Sequence, residues 1–187
     1  MRMLMRYAST LSAGAAISIA LACITEPAYA FEGQARLGIG LGHSYFSAPD
    51  TTTHGIAGGI HGILGVDDTQ ALTAEFNTSY HPTTGILTLS GGIGGLYFLD
   101  YFQAIPYFGL ITEMVAVQRL NGGCDIPDGP ACTSSGIGFS IPFGVDYMIS
   151  RSFVVGVQGR YHLMALGAAD THQMFTTMAR AEFMFPF

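Results

Sequence analysis

The sequence has no lysine and no tryptophan, and charged residues make up only 11% of its 187 positions. A soluble domain carries about a quarter charged residues to keep its surface wetted, so this chain has too few to coat the outside of a soluble barrel. Seven arginines stand against thirteen acidic residues, and five against twelve beyond residue 30. With no basic stripe to hold phosphates, a nucleic-acid partner is excluded. Long apolar runs are missing too. The stretch 86–99 holds Gly91, Gly92, Gly94 and Gly95, and the stretch 101–117 holds Gln103, Pro106 and Glu113. Asp100 separates the two, and neither approaches the ~20 residues of a spanning helix. A helical membrane protein is therefore set aside.

What is present begins with a leader. Residues 1–30 carry Arg2 and Arg6, an apolar run from Ala13 to Ala22, and Ala28-Tyr29-Ala30 as a small-x-small cleavage site. This reads as a secretory signal peptide, with the mature protein expected to start at Phe31. A membrane anchor is the alternative, but the run is short of the ~20 residues needed. Lipidation of Cys23 is another, but Ala20-Leu21-Ala22 lack the leucine usually found three positions upstream of a lipidated cysteine. The remaining residues, 31–187, suffice for one domain.

Within that domain a period of two recurs. Candidate strands fall near 34–46, 55–66, 69–80, 86–98, 101–118, 136–148, 152–164 and 173–187. Tight connections (Asp67-Asp68, Leu99-Asp100, Ile149-Ser150-Arg151) alternate with longer ones at 47–54, 81–85, 119–135 and 165–172. Such alternation is what periplasmic turns and external loops produce, and the fold class expected is an all-β, eight-stranded antiparallel up-and-down transmembrane barrel.

Parity sharpens the expectation, because a strand in lipid turns one face to hydrocarbon and the other to the lumen. In the seventh segment Phe153, Val155, Val157, Tyr161 and Leu163 share one face, and Ser152, Gln158, Arg160 and His162 the other. The eighth sets Phe175, Ala179, Ala181, Phe183, Phe185 and Phe187 against Met174, Thr176, Met178, Arg180 and Glu182. In the sixth, Ile137, Phe139, Ile141, Phe143, Val145 and Tyr147 oppose Gly138, Ser140, Gly144 and Asp146, and in the third Leu72, Phe76 and Tyr80 oppose Thr73, Glu75, Asn77 and Ser79. A lipocalin-like soluble barrel also alternates, but needs a large charged outer face that this chain lacks.

Tyr97, Phe102, Tyr147, Phe153, Phe183 and Phe187 are expected at the periplasmic rim, and Tyr45, Tyr80, Tyr161 and Phe175 at the outer rim. Pro106, Pro142 and Pro186 lack an amide donor, so bulges are expected beside them. The charged residues predicted to face inward are Arg36, Glu75, Glu113, Arg160, Arg180 and Glu182, with Asp146 near the periplasmic mouth. An eight-stranded barrel has an interior only wide enough for side chains. Three arginines and three glutamates inside should therefore pair and plug the lumen. Gly38, Gly40, Gly42, Gly92 and Gly94 also face inward, either clearing space for the arginines or relieving strand curvature.

The strand count, alternating turn lengths, polar interior and terminal Phe187 resemble the small outer-membrane barrels of the OmpA/OmpX class, over the whole mature chain and at the level of architecture. The resemblance implies a bacterial outer-membrane location with both termini periplasmic, contact with outer-membrane lipid and lipopolysaccharide, and insertion by the barrel-assembly machinery. It also implies that Phe183, Phe185 and Phe187 form the assembly signal, with Pro186 a departure from the usual pattern.

Cys124 and Cys132 both fall in the longest loop, and an oxidising compartment makes them a disulfide worth about 2 to 3 kcal/mol of loop closure. No metal site or cofactor is expected, since no second cysteine pair or neighbouring histidine completes a ligand set. His54, His81 and His172 sit in or beside three external loops, near Asp50 and Asp170, but without ligand spacing. An enzyme acting on lipid A would need a His-x-Ser pair on one strand face with a carboxylate partner. His43 and Ser44 are adjacent and so point to opposite faces. His162 is read as a hydrogen-bonding member of the lumen. The expectation is a monomeric, non-enzymatic barrel with a structural or surface-contact role through four loops. A narrow solute channel and a lipid A-modifying barrel are the alternatives.

Overall fold

The computed structural model describes residues 33–48, 51–99, 103–120, 133–166 and 170–186. The signal peptide, the Cys124–Cys132 pair, Phe102 and Phe187 lie outside these residues. Eight strands form one closed antiparallel barrel in chain order: β1 (Gln34–Ala48), β2 (Thr51–Gly65), β3 (Gln70–His81), β4 (Ile86–Phe98), β5 (Ala104–Arg119), β6 (Thr133–Ser150), β7 (Phe153–Leu166) and β8 (Asp170–Pro186). Closure comes from β1 pairing with β8, from Gln34 opposite Pro186 to Ser47 opposite Gln173. No sheet edge is left, which is how an all-β chain satisfies its backbone polar groups in hydrocarbon.

The alternation of small or polar with apolar side chains becomes an inside and an outside. Leu37, Ile39 and Leu41 of β1, Ile56 and Ile60 of β2, Ile93 of β4, Met114 of β5 and Val157 of β7 are more than half exposed on the outer wall. A band of this size and continuity is far beyond what a soluble monomer presents to water. Aromatics stand along it. Tyr45, Tyr80, Tyr161 and Phe175 lie toward the loop end, and Tyr97, Tyr147, Phe153 and Phe183 toward the end that carries the chain termini, where Phe153 meets Phe183 edge-on at 5.3 Å. Phe76, Phe108, Phe139 and Phe143 are exposed between the two groups, so aromatic side chains are not confined to the rims.

At the terminus end the connections are short. Asp67 turns the chain between β2 and β3: its Oδ1 accepts the backbone N–H of Thr69 at 2.7 Å and of Gln70 at 2.6 Å, and the Thr69 hydroxyl at 3.1 Å. Those amides hold its carboxyl below the usual aspartate range. At the loop end Gly85 takes a φ of 64°, and its carbonyl then accepts the N–H of Leu120 at 2.8 Å.

Two expectations are corrected. Strands run further at the loop end than the hydrophobic pattern indicates. The segment 47–54 is mostly strand, with Thr51, Thr52 and Thr53 continuing β2. β6 begins at Thr133 and β8 at Asp170. Threonine is a strong strand former, and a ladder that clears the bilayer has no reason to stay apolar. The prolines also do not produce bulges. The β5–β6 ladder keeps one register on both sides of Pro106 and of Pro142, with only Gly109 and Leu110 unpaired across from Pro142 and Ile141. In an antiparallel sheet each amide points to one neighbouring strand, so a proline removes one ladder bond and requires no extra residue. The register shift that does occur lies between Met148 and Ser150, leaving Ile149 unpaired and exposed.

Candidate functional site

The lumen is filled in layers. Toward the terminus end, Ile63, Ala71, Leu96, Phe98, Ile105 and Tyr107 pack as one buried cluster. Toward the loop end, Phe46, Ile86, Val115, Met164, Leu166 and Met174 form a second. Between and beside them lie the charges, buried to a few per cent exposure or less.

Glu182 on β8 is the hub. Its carboxylate accepts from the Arg180 guanidinium, from His61 Nε2 at 2.8 Å and from Arg36 at 3.5 Å. Arg36 also reaches Asp146 at 3.4 Å, and its guanidinium lies 5.3 Å over the Phe98 ring. Arg180 donates to the Tyr107 hydroxyl, stands 5.1 Å over that ring, and lies 2.8 Å from His61 Nε2. A separate pair forms further along the lumen: Arg160 grips both carboxylate oxygens of Glu75 and also donates to Gln158. Such a two-pronged geometry is the strong form of the arginine–carboxylate contact.

Arg36, Glu75, Glu113, Arg160, Arg180 and Glu182 all face inward, and the structure divides them among three groups rather than one. Arg36, Arg180, Glu182 and Asp146 belong to the first, and Arg160 and Glu75 to the second. Glu113 forms the third: among the described residues it accepts from His162 Nδ1 at 2.8 Å, and His162 Nε2 lies 3.4 Å from the Thr176 hydroxyl. His61 and Tyr107 are members that sequence reasoning missed. His61 sits among glycines and isoleucines where no polar alternation marks it, and its place follows only from β2 parity. Tyr107 lies one residue past Pro106, where an expected bulge would break the parity that assigns faces.

Two of the inward glycines show what their missing side chains make room for. A Cβ on Gly38 would meet the His61 ring and the Glu182 side chain at 2.4–2.7 Å, so this glycine clears space for the network. A Cβ on Gly42 would meet the backbone oxygen of Thr177 at 1.8 Å, which is a matter of strands approaching closely.

A histidine–serine arrangement also exists, on a face the sequence reading did not pair. Ser79 and His81 share the inward side of β3, and His81 Nε2 lies 3.2 Å from Ser79 Oγ and 3.3 Å from Ser44 Oγ. All three are buried, and His81 packs against Phe46 at 5.7 Å. Among the described residues no carboxylate hydrogen-bonds this imidazole, so the third member of a nucleophilic triad is missing there. His172 stacks on Phe46 at 5.7 Å, whereas His54 lies on the outer wall, and no group of three or more metal-ligating side chains converges among the described residues. A cavity of about 10 Å³ between Asn77, Ser79, Thr88, Ser90, His162 and Thr176 has the volume of a single water.

No family model matches the sequence, and no curated protein does. Solved structures do match. Neisserial surface protein A superposes with a TM-score of 0.70 at 16% identity, over 81% of this chain and 99% of that one. The N-terminal β-barrel domain of Pseudomonas aeruginosa OprF gives 0.56 at 9% identity, over 82% and 98%. Ail, the attachment invasion locus protein of Yersinia pestis, gives 0.54 at 14% identity, over 82% and 99%. The chain has the fold of the small eight-stranded outer-membrane barrels.

Proposed function

We propose that this chain is a bacterial outer-membrane barrel without enzymatic activity, closed to solutes, whose β-wall anchors an envelope structural or surface-contact module formed by its four loops. Both termini then lie in the periplasm, the outer wall meets phospholipid and lipopolysaccharide, and the barrel works as a monomer. On this reading Phe183, Phe185 and Phe187 are the segment read by the assembly machinery, and Cys124 and Cys132 close the longest loop as a disulfide.

What supports the reading is the set of side chains that the lumen holds. Arg36, Arg160 and Arg180 each pair with a buried carboxylate, and apolar clusters lie on both sides of them. A permeation pathway needs continuous hydrated width, and the cavity between Ser79, Thr88, His162 and Thr176 has room for about one water. Among the described residues, the buried His81 and its two serines have no carboxylate partner. Proteoliposomes loaded with the refolded protein should not swell in isosmotic arabinose, and lipid A from expressing cells should keep its mass. Swelling comparable to that of a general porin would favour the channel reading, and a changed lipid A mass the enzyme.

A further inference from the structure

His43 and His54 stand outside the lumen network. They sit on adjacent strands, and the β1–β2 ladder places Tyr45 opposite His54 and His43 opposite Ile56, so the two imidazoles are diagonal neighbours on the outer wall. Their rings are 5.2 Å apart, with His54 Nδ1 only 3.2 Å from His43 Nε2. Both side chains are exposed. They lie immediately on the loop side of Leu41 and Ile56, the last aliphatic side chains of the outer band on these strands, and level with the Tyr45 ring, 5.2 Å from His54. That position is the rim, where the wall leaves hydrocarbon and meets water.

We propose that His43 and His54 form a two-imidazole chelate for a divalent transition-metal ion of the copper and nickel class at the loop-end rim. With metal–nitrogen bonds of about 2.05 Å, the 3.2 Å separation of the two nitrogens subtends ~100° at the ion, between the square-planar and tetrahedral angles. In the free chain one of the two facing nitrogens donates a hydrogen bond to the other; a metal ion would take the place of that proton, leaving each ring protonated only on its far nitrogen. The ladder on both sides of β1 holds the two backbones in place, so little ordering is needed on binding. The donors are all nitrogen, which selects against calcium and magnesium. Tyr45, Thr52 and Thr177 are the nearest outward polar neighbours along the ladders, and among the described residues no third histidine, cysteine or carboxylate joins the pair. Water at the interface completes the coordination shell.

The test is titration of tag-free, refolded protein in detergent micelles with copper(II) chloride, followed by calorimetry and by electron paramagnetic resonance. The expected result is one equivalent bound, with hyperfine structure from two nitrogens. His43→Ala and His54→Ala should each weaken binding about tenfold or more and remove one nitrogen from the spectrum. His172→Ala should leave binding unchanged. Both substitutions are on exposed side chains, and retention of the heat-modifiable gel shift certifies that each variant is folded. Absence of saturable binding to the folded protein would overturn the proposal, as would a site whose affinity survives the double replacement of His43 and His54.

Discussion

At the scale of the residue, Glu182 is where the lumen has most to lose. Its carboxylate is 1% exposed and answers Arg180, Arg36 and His61 at once. Removing it takes the carboxylate that two buried guanidinium groups share, Asp146 still answering Arg36. Breaking a buried pair by deleting one partner costs about 3 to 5 kcal/mol, more than the pair contributes over a well-packed apolar replacement. Glu182→Ala should therefore lower the unfolding free energy by about that amount in reversible urea unfolding from lipid vesicles. Val154, wholly buried in the facing register position, provides the control: Val154→Ala creates a small void and should cost no more than about 2 kcal/mol. If Glu182→Ala costs less than its control, the ions are not holding the barrel together.

At the scale of the element, the argument is about faces. Val157 is 63% exposed on the outer wall and Ser140 wholly buried in the lumen. An arginine placed at Val157 meets hydrocarbon and should cost about 2 to 4 kcal/mol near the midplane. Ser140→Arg should instead act through crowding, against His162 across the β6–β7 ladder and Ile111 across the β5–β6 ladder. Insertion yield into vesicles, read by heat-modifiable migration, distinguishes them: equal tolerance of both would mean the faces are misassigned.

The faces were readable from the sequence because hydrocarbon on one side and a narrow lumen on the other impose a strict period of two. In β7 and β8 that period is nearly unbroken, and all six ionic residues took the side it assigned. Pairing was not readable in the same way. Which carboxylate an arginine meets depends on strand stagger around the barrel, and this brought Glu113 to His162 instead of to an arginine. Strand ends were also hidden, since Thr51 to Thr53 carry no apolar signal, and so was the Ser79–His81 pair, whose significance depends on Ser44 arriving from β1.

At the scale of the whole molecule, three features depend on one another: the exposed apolar wall, the closed ladder and the filled interior. A wall of exposed isoleucine, leucine and phenylalanine is stable only in lipid, and a sheet in lipid must close. Closure at eight strands then leaves an interior that side chains fill. The described wall accordingly carries its charge on the inward face, and the loops are where a surface-contact role would reside. The solved barrels it superposes on, at 16% identity or less, share that arrangement of strands with little of the sequence.

The claim on which the account rests is that the ionic and apolar layers seal the barrel. Single-channel recording of the refolded protein in a planar lipid bilayer tests it directly. The account predicts a silent membrane, with no steady openings in molar potassium chloride. Sustained nanosiemens-scale steps from the folded, heat-modifiable species would contradict it.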